Sequence, residues 1–203
     1  MLVDFIVPFY NRTDALRSML SSLLVQTDND WKATVIVDTD HGSQENLKYY
    51  NEACDLINSL IGYNTDGEWS KIMYGFTDKR YNDWGHTPRE IGKQQSIADY
   101  IIMTGDDNYY TPNFVAELKK ATINKPGMIY WDMVHSHYDY SYFNCQPFYN
   151  QIDMGAFATR NDLAKQIKLN TSYAADGEFV RDFNIKFPQE QKIKINKCLF
   201  VHN

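Results

Sequence analysis

The feature that most constrains how this chain folds is an apolar run that ends in adjacent carboxylates. The run Tyr100–Met103 is followed, after two intervening residues, by Asp106, Asp107 and Asn108. A buried strand with acids at its carboxyl end places oxygen ligands at the edge of an α/β sheet, where such sheets bind their ligands. Neighbouring carboxylates repel each other unless a cation lies between them or one keeps its proton. The pattern therefore predicts a divalent-metal site. The alternative is that Asp106 and Asn108 cap a helix beginning near Pro112.

A second apolar run, residues 33–37, also ends in acids, at Asp38 and Asp40. Around these runs, the first hundred residues alternate between strand-like and helix-like patterns. The predicted strands are 2–7, 33–37, 70–76 and 100–103, and the predicted helices are 16–24, 45–61 and 89–98. This alternation predicts an α/β fold in which helices flank a mixed, mostly parallel sheet with right-handed crossovers.

The second half of the chain alternates less regularly. Its predicted helices are 113–122, 161–167 and 175–183, and its predicted strands are 128–134, 153–158 and 192–201. Residues 135–152 are dense in Tyr, Phe, Asn and His and have no clear period. We expect either a long functional loop or an irregular part of the sheet there.

Composition excludes several classes of protein. A chain of 203 residues with a net charge of -6, from 20 Lys+Arg and 26 Asp+Glu, lacks the basic surface that nucleic acid requires. Cys54, Cys145 and Cys198 have neither disulfide nor zinc spacing, which indicates reduced thiols. The first apolar run stops at Pro8 and is too short for a signal peptide or a membrane span. We therefore expect a soluble, cytoplasmic protein without a transmembrane segment.

Further motifs, taken together with the acids, resemble those of a known family. The first predicted strand ends in Val7-Pro8-Phe9-Tyr10-Asn11, and the next helix carries Leu16, Leu20 and Leu23 before Gln26-Thr27. The second strand ends in Val37-Asp38-Thr39-Asp40-His41-Gly42-Ser43, and Asp106-Asp107-Asn108 precedes Pro112. With these motifs the chain resembles the inverting, family-2 type of GT-A glycosyltransferase. The resemblance covers most of the chain and is most specific in residues 5–43 and 100–114.

The resemblance implies a single GT-A domain over residues 1–203, with a nucleotide-binding part at about 1–110 and an acceptor-binding part at about 111–203. It implies transfer of a sugar, with inversion, from a nucleotide-sugar to a hydroxyl of a glycan or glycoprotein acceptor. A UDP-sugar is the favoured donor, and Mn²⁺ or Mg²⁺ is the expected cofactor. Compact enzymes of this kind stand alone or form one module of a longer chain. They occur in bacterial surface-polysaccharide pathways and in large DNA viruses.

The resemblance also assigns roles to individual residues. Asp107 is expected to bind the metal directly, and His202 to return to the metal from late in the chain. Asp176, in the degraded motif Ala175-Asp176-Gly177-Glu178, is the expected catalytic base, with Glu178 and Asp153 in reserve. The expected nucleotide-binding residues are Pro8, Phe9, Tyr10, Asn11, Asp38, Arg89 and Asp106. Asp40 is an alternative to Asp38, because the segment after the second strand has two extra residues.

On the acceptor side we expect contacts from Trp131, His135, His137 and Asp153. His135 and His137 are two residues apart on a possible strand and would point the same way, either as hydrogen-bonding groups or as a metal pair. Each role has a structural alternative. These are core packing for Phe9, Tyr10 and Trp131, a surface ion pair for Arg89, helix capping for Asp176, and a plain surface position for His202.

Two other functions are compatible with parts of this pattern. A nucleotidyltransferase shares the sheet and the metal carboxylates, but residues 8–14 contain none of the glycines of its usual phosphate loop. A non-catalytic nucleotide- or glycan-binding module would keep the fold and lose the base, which the degraded motif at 175–178 allows. Hydrolysis of a nucleotide-sugar distinguishes an enzyme from such a module.

Overall fold

A computed structural model describes residues 2–39, 44–61 and 71–203. Its strands are β1 (Val3–Phe9), β2 (Trp31–Val37), β3 (Ile72–Phe76), β4 (Tyr100–Met103), β5 (Tyr109–Tyr110), β6 (Met128–His135), β7 (Ser141–Phe143), β8 (Phe157–Arg160) and β9 (Lys192–His202). Its helices are α1 (Thr13–Leu24), α2 (Gln44–Ile61), α3 (His86–Gln95), α4 (Phe114–Ala121), α5 (Asn161–Ala164) and α6 (Ala175–Lys186). Asp40, the alternative to Asp38, lies outside the described residues.

The first half of the chain forms the parallel part of the sheet. The strands lie in the order β3-β2-β1-β4, and all three pairings are parallel. Every residue of β1 and β2 is buried, as expected of strands covered on both faces. Because these strands run in one direction, the segments that follow β1, β2 and β4 meet at one edge of the sheet. Together with the antiparallel strands β5, β7 and β8 of the second half, this arrangement confirms the predicted mixed, mostly parallel sheet.

The second half extends the same sheet in the order β4-β8-β6-β9-β5, and β7 pairs with the outer part of β6. Strand β8 is antiparallel to both β4 and β6, so β6 runs in the same direction as β4. Strand β9 is parallel to β6, and their register places His202 opposite His135. The end of β9 therefore returns to the edge at which β1, β2 and β4 end.

Buried aromatic side chains anchor the turn between β4 and β5. The ring of Tyr110, on β5, lies 5.0 Å from Phe5 of β1 and 4.7 Å from Phe114 of α4. The Tyr110 hydroxyl donates a hydrogen bond of 2.9 Å to the carbonyl of Gly155. Burial of each such ring stabilises the fold by about 1.5–3 kcal/mol, so this packing holds the acidic turn in a defined place. Among the described residues, no helix has both the length and the apolarity needed to cross a membrane.

Several predicted boundaries in this fold are wrong. Helix α3 begins at His86, three residues before its predicted start, because Gly85 adopts a left-handed conformation that ends the preceding loop. The predicted strand 153–158 begins instead with a 3-10 turn, in which the Asp153 carboxylate accepts from the amide of Gly155, and β8 follows at Phe157. The predicted helix 161–167 ends at Ala164. The short strands β5 and β7 were not predicted, and β7 lies within the irregular segment 135–152.

Candidate active site

A cleft of about 780 Å³ lies where β1, β2, β4, β6 and β9 end. The segment after β3 and the start of α6 complete its walls. The cleft is lined by every main site residue predicted from the sequence except Trp131, and the reserve base Glu178 is not among its lining residues. The folding pattern thus gathers residues from positions 8 to 202 at one edge of the sheet.

The acidic turn after β4 lies at the centre of the cleft and is paired with an arginine. Arg12, directly before α1, donates from Nη1 to Asp107 Oδ2 over 2.5 Å and from Nη2 to Asp106 Oδ1. Burial raises the pKa of Asp106 to about 6, although the nearby Arg12 guanidinium acts in the opposite direction. Sequence analysis did not identify Arg12, although it directly follows the Asn11 of the first motif.

The helix-capping interpretation of this turn is wrong. Helix α4 begins at Phe114, and its N-cap residue Asn113 makes no side-chain capping hydrogen bond. Asn108 instead donates to Thr104 Oγ1 over 3.2 Å and accepts from the backbone amide of Asn203 over 3.3 Å. Asn108 therefore ties the turn to the end of β9, and the carboxylates beside it face the cleft.

The cleft carries an excess of negative charge. Six aspartates line it, Asp38, Asp83, Asp106, Asp107, Asp153 and Asp176, against the three arginines Arg12, Arg80 and Arg89. Within residues 2–39, 44–61 and 71–203, no group of three or more His, Cys, Asp or Glu side chains is arranged to hold a metal ion. Zinc would need three or four such ligands. Mg²⁺ or Mn²⁺ needs only one or two carboxylates and completes its shell with water and phosphate oxygens, so the Asp106–Asp107 pair fits such an ion.

One end of the cleft is built around Asp38 and Tyr10. The buried Asp38 carboxylate accepts from the backbone amides of Tyr81 over 2.9 Å and Asn82 over 3.1 Å, which fixes the segment after β3. The guanidinium of Arg80 in that segment lies over the Tyr10 ring, 3.0 Å from its centroid. Sequence analysis missed Arg80, and the only hint was the polar and aromatic composition of residues 77–88. Phe9 borders the cleft, but its side chain is only 1% exposed.

Arg89, on the first turns of α3, joins the acidic turn to the cleft wall. Its Nε donates to the carbonyl of Thr104 over 2.9 Å, and its Nη1 donates to the carbonyl of Trp84 over 2.8 Å. In the sequence, Gly85 lies between Trp84 and Arg89. It has a φ of 80°, and a Cβ at this position would lie 2.6 Å from Pro8 Cβ. The close approach of this segment to the first motif therefore requires glycine.

Two further carboxylates, Asp153 and Asp176, lie in another part of the cleft. Asp176 lies in the first turn of α6 and accepts from the amide of Gly177 over 2.7 Å. Burial, with a further contribution from the charge of Asp153, raises the pKa of Asp176 to about 6. Glu178, the reserve base, instead accepts from Ser172 Oγ over 2.8 Å and Asn170 Nδ2 over 2.9 Å. Asp176 is thus the carboxylate of this motif that faces the cleft, and its pKa is raised to about 6.

Three histidines cluster where β6 and β9 end. The rings of His135 and His202 stack with centroids 4.1 Å apart, and the ring of His137 lies 5.4 Å from that of His202. Nε2 of His202 lies 3.6 Å from Asp153 Oδ2. Burial, with the neighbouring His202, lowers the pKa of His135 to about 4. The pairing of β6 with β9 explains this cluster, and the assignment of His202 to the metal stays a prediction.

The predicted acceptor contact of Trp131 is wrong. The indole is fully buried and packs edge-on against Phe114, 4.6 Å away, so it belongs to the core. The exposed aromatic side chains at the cleft are instead those of Trp84 and Tyr173, which are 65% and 77% exposed. Their rings lie in edge contact, with centroids 6.3 Å apart. Trp131 lies on β6, within the predicted strand 128–134, whereas Trp84 and Tyr173 lie in turns, and aromatic composition alone did not distinguish the buried ring from the exposed ones.

Solved structures match this architecture, a glycosyltransferase fold of the GT-A type, over nearly the whole chain. The crystal structure of S. aureus TarS 1-349 in complex with UDP has a TM-score of 0.71 and 12% sequence identity, over 99% of this chain and 60% of that one. The mannosyltransferase PcManGT from Pyrobaculum calidifontis, in complex with GDP-Man and Mn²⁺, has a TM-score of 0.69 and 13% identity, over 98% of this chain and 56% of that one.

A further TarS 1-349 structure, in complex with UDP-GlcNAc, has a TM-score of 0.69 and 13% identity over 99% of this chain. This chain spans only 58–60% of the TarS 1-349 chains it matches. No family model matches the sequence, and no curated protein matches it. At these identities the structural matches establish the fold.

Proposed function

We propose that this chain is a metal-dependent glycosyltransferase of the inverting, family-2 type, which transfers a sugar from a UDP-sugar to a hydroxyl of a glycan or glycoprotein. The proposal rests on one observation. An adjacent carboxylate pair, Asp106 and Asp107, lies in the same cleft of a GT-A fold as a separate carboxylate, Asp176. Structures with this fold that hold UDP, UDP-GlcNAc or GDP-Man support it. We propose a cytoplasmic location for the reaction.

The nucleotide is proposed to lie at the end of the cleft formed by the first half of the chain. Tyr10 and Pro8 would line the nucleobase. The Asp38 carboxylate, which accepts hydrogen bonds from the amides of Tyr81 and Asn82, would also accept a hydrogen bond from the edge of the nucleobase. Asp106 would accept from the ribose, and Arg89 would face the diphosphate. The acceptor would enter beside Asp153 and the histidine cluster, which belong to the second half of the chain.

The proposed reaction is one displacement at the anomeric carbon. A bond forms from the acceptor oxygen to this carbon, and the bond from the carbon to the diphosphate oxygen breaks with its electron pair leaving on the diphosphate. The acceptor proton passes to Asp176, whose raised pKa makes it a stronger base than an ordinary carboxylate. Asp107 would hold a divalent cation directly, with Asp106 beside it, and this cation would supply positive charge for the departing diphosphate.

A thermal-shift panel of nucleotides and nucleotide-sugars, with and without Mn²⁺, tests the donor half of this proposal. We expect UDP ligands with Mn²⁺ to raise the melting temperature most, because stabilisation grows with the ratio of ligand concentration to dissociation constant. Asp107→Ala should abolish the effect of Mn²⁺. If only GDP or CDP ligands stabilised the protein, the assignment of UDP as the donor nucleotide would be wrong. If no nucleotide stabilised the protein, the result would refute nucleotide binding.

Slow hydrolysis of the UDP-sugar tests whether the site is catalytic. Water can replace the acceptor, so we expect Mn²⁺-dependent release of UDP from the wild-type protein and none from Asp176→Asn. A protein that binds UDP-sugar tightly but releases no UDP would be the non-catalytic module. Asp162→Asn, an exposed carboxylate paired with Arg160, is a matched control that should release UDP at the wild-type rate.

A further inference from the structure

The geometry points to Arg12 as a built-in counter-cation of the acidic pair. It competes with the divalent metal for Asp106 and Asp107 and leaves them when a nucleotide diphosphate enters the cleft. This inference rests on the proposed function, because it concerns the metal and the donor of the same site. Through Arg12, binding of the metal and binding of the nucleotide diphosphate would strengthen each other, an effect that the two carboxylates alone do not produce.

The contacts of Arg12 support competition with a cation. Its two terminal nitrogens reach two different carboxylates, Oδ1 of Asp106 and Oδ2 of Asp107. A divalent ion at this acidic pair would use oxygens of one or both of these groups. Charge-assisted hydrogen bonds of this type are stronger than neutral ones, and the guanidinium also repels an incoming cation. A metal ion must therefore displace the guanidinium to bind well.

The exposure of the three side chains indicates which of them moves. The Arg12 side chain is 56% exposed, whereas those of Asp106 and Asp107 are 5% and 21% exposed. The guanidinium can turn into solvent, where water replaces its hydrogen bonds, while the carboxylates stay between β4 and β5. A cation removed from the Asp106 carboxylate leaves a buried charge unpaired, which is unfavourable until another cation arrives.

A nucleotide diphosphate gives the displaced guanidinium a new partner. Arg12 borders the same cleft as Arg89, and guanidinium groups bind phosphate oxygens with two parallel hydrogen bonds. The diphosphate therefore favours the conformation in which the carboxylates are open to the metal. By linkage, the metal then strengthens diphosphate binding by the same factor.

Titration of the protein with Mn²⁺ alone, followed by the electron paramagnetic resonance signal of free Mn²⁺, tests this inference. We expect Arg12→Gln to bind Mn²⁺ at least about tenfold more tightly than the wild-type protein, because the competing charge is gone. Arg12→Lys should be intermediate, since an ammonium cannot bridge the two carboxylates in the same fork. Arg17→Gln removes an exposed arginine of α1, the helix that follows Arg12, and should leave the affinity unchanged.

Repeating the titrations with saturating UDP tests the coupling. UDP should tighten Mn²⁺ binding more in the wild-type protein than in Arg12→Gln, where the carboxylates are already open. Equal or weaker Mn²⁺ binding by Arg12→Gln, in a variant whose circular dichroism spectrum is unchanged, would overturn the inference and leave the proposed function intact. Absence of Mn²⁺ binding by every variant, with or without UDP, would overturn both the inference and the metal dependence of the proposed function.

Discussion

Two aspartates of the cleft, Asp106 and Asp176, combine burial with nearby negative charge. Burial disfavours the charged form, so the pKa of each is raised to about 6. An ionised carboxylate in such a buried position lowers the stability of the fold. At Asp106 the Arg12 guanidinium offsets part of this cost. At Asp176 the cost is measurable by a single substitution.

We predict that Asp176→Asn stabilises the protein at neutral pH. The folded-state pKa of Asp176 lies above its unfolded value of about 4, so ionisation of this group costs stability as pH rises through about 6. Replacement should therefore raise the free energy of unfolding by about 1–2 kcal/mol at about pH 7.5 and have no effect below about pH 4. Urea unfolding at both pH values measures the difference.

Glu178→Gln, on the same helix, is the control for this prediction. Hydrogen bonds from Ser172 and Asn170 lower the pKa of Glu178, so its ionised form stabilises the fold above its unfolded pKa. The substitution should lower stability at neutral pH, opposite in sign to Asp176→Asn. Equal effects of the two substitutions would contradict the assignment of a raised pKa to Asp176.

At the scale of elements, the position of the acidic pair depends on the short strand β4 and on the turn that follows it. Strand β4 has four residues, and the turn that follows it must direct two carboxylates into the cleft within four further positions. Gly105 makes this turn possible, because a Cβ there would lie 2.8 Å from Asp107 Oδ1 and 3.1 Å from Asn108 Nδ2. The strand and its turn together set the position of the acidic pair.

We predict that Gly105→Ala displaces the Asp107 carboxylate and leaves the fold intact. The affinity for UDP in the presence of Mn²⁺ should fall about tenfold, while the free energy of unfolding changes by less than about 1 kcal/mol. Isothermal titration calorimetry and urea unfolding measure the two quantities. Gly75→Ala is the matched control, since its nearest contact, Ile36 Cδ1 at 3.4 Å, is an ordinary one. A loss of stability equal to the loss of binding would instead show a structural role for Gly105.

The elements that could be predicted from the sequence are those whose own residues decide their structure. The runs that became β1, β2 and β4 are predominantly apolar, so they predicted the parallel half and the acids at its edge. Strands β5 and β7 have two and three residues and exist only through pairing with β9 and β6, which no local pattern encodes. The partners of Arg12 and Arg80 likewise come from distant segments, so sequence analysis missed both arginines.

At the scale of the whole molecule, charge is distributed unevenly. The chain carries a net charge of -6, and the cleft itself is lined by six aspartates and three arginines. A negatively charged nucleotide, the proposed ligand, would therefore meet a negative site on a negative protein. Binding requires local cations to outweigh this repulsion, which salt screens over about 10 Å at 0.1 M ionic strength.

We predict an unusual salt dependence of UDP binding. In the presence of a chelator, affinity should rise as NaCl increases from about 0.02 to about 0.3 M, because screening weakens the repulsion between UDP and the aspartates. With saturating Mn²⁺ the trend should reverse, because the dominant interaction is then attractive. Calorimetric titration across this range measures both trends. If the affinity for UDP without metal instead fell as NaCl increased, the positive charge of the three arginines would already outweigh the negative charge of the aspartates in the cleft.

The exposed indole of Trp84 has a practical consequence. The other tryptophans that the structure describes, Trp31 and Trp131, are 2% and 0% exposed, whereas Trp84 borders the cleft. Dissolved iodide can collide with this side chain, and any molecule that occupies the entrance shields it. The fluorescence of Trp84, taken as the difference between the wild-type protein and Trp84→Phe, thus offers a reporter of occupancy for screening the proposed donors and acceptors.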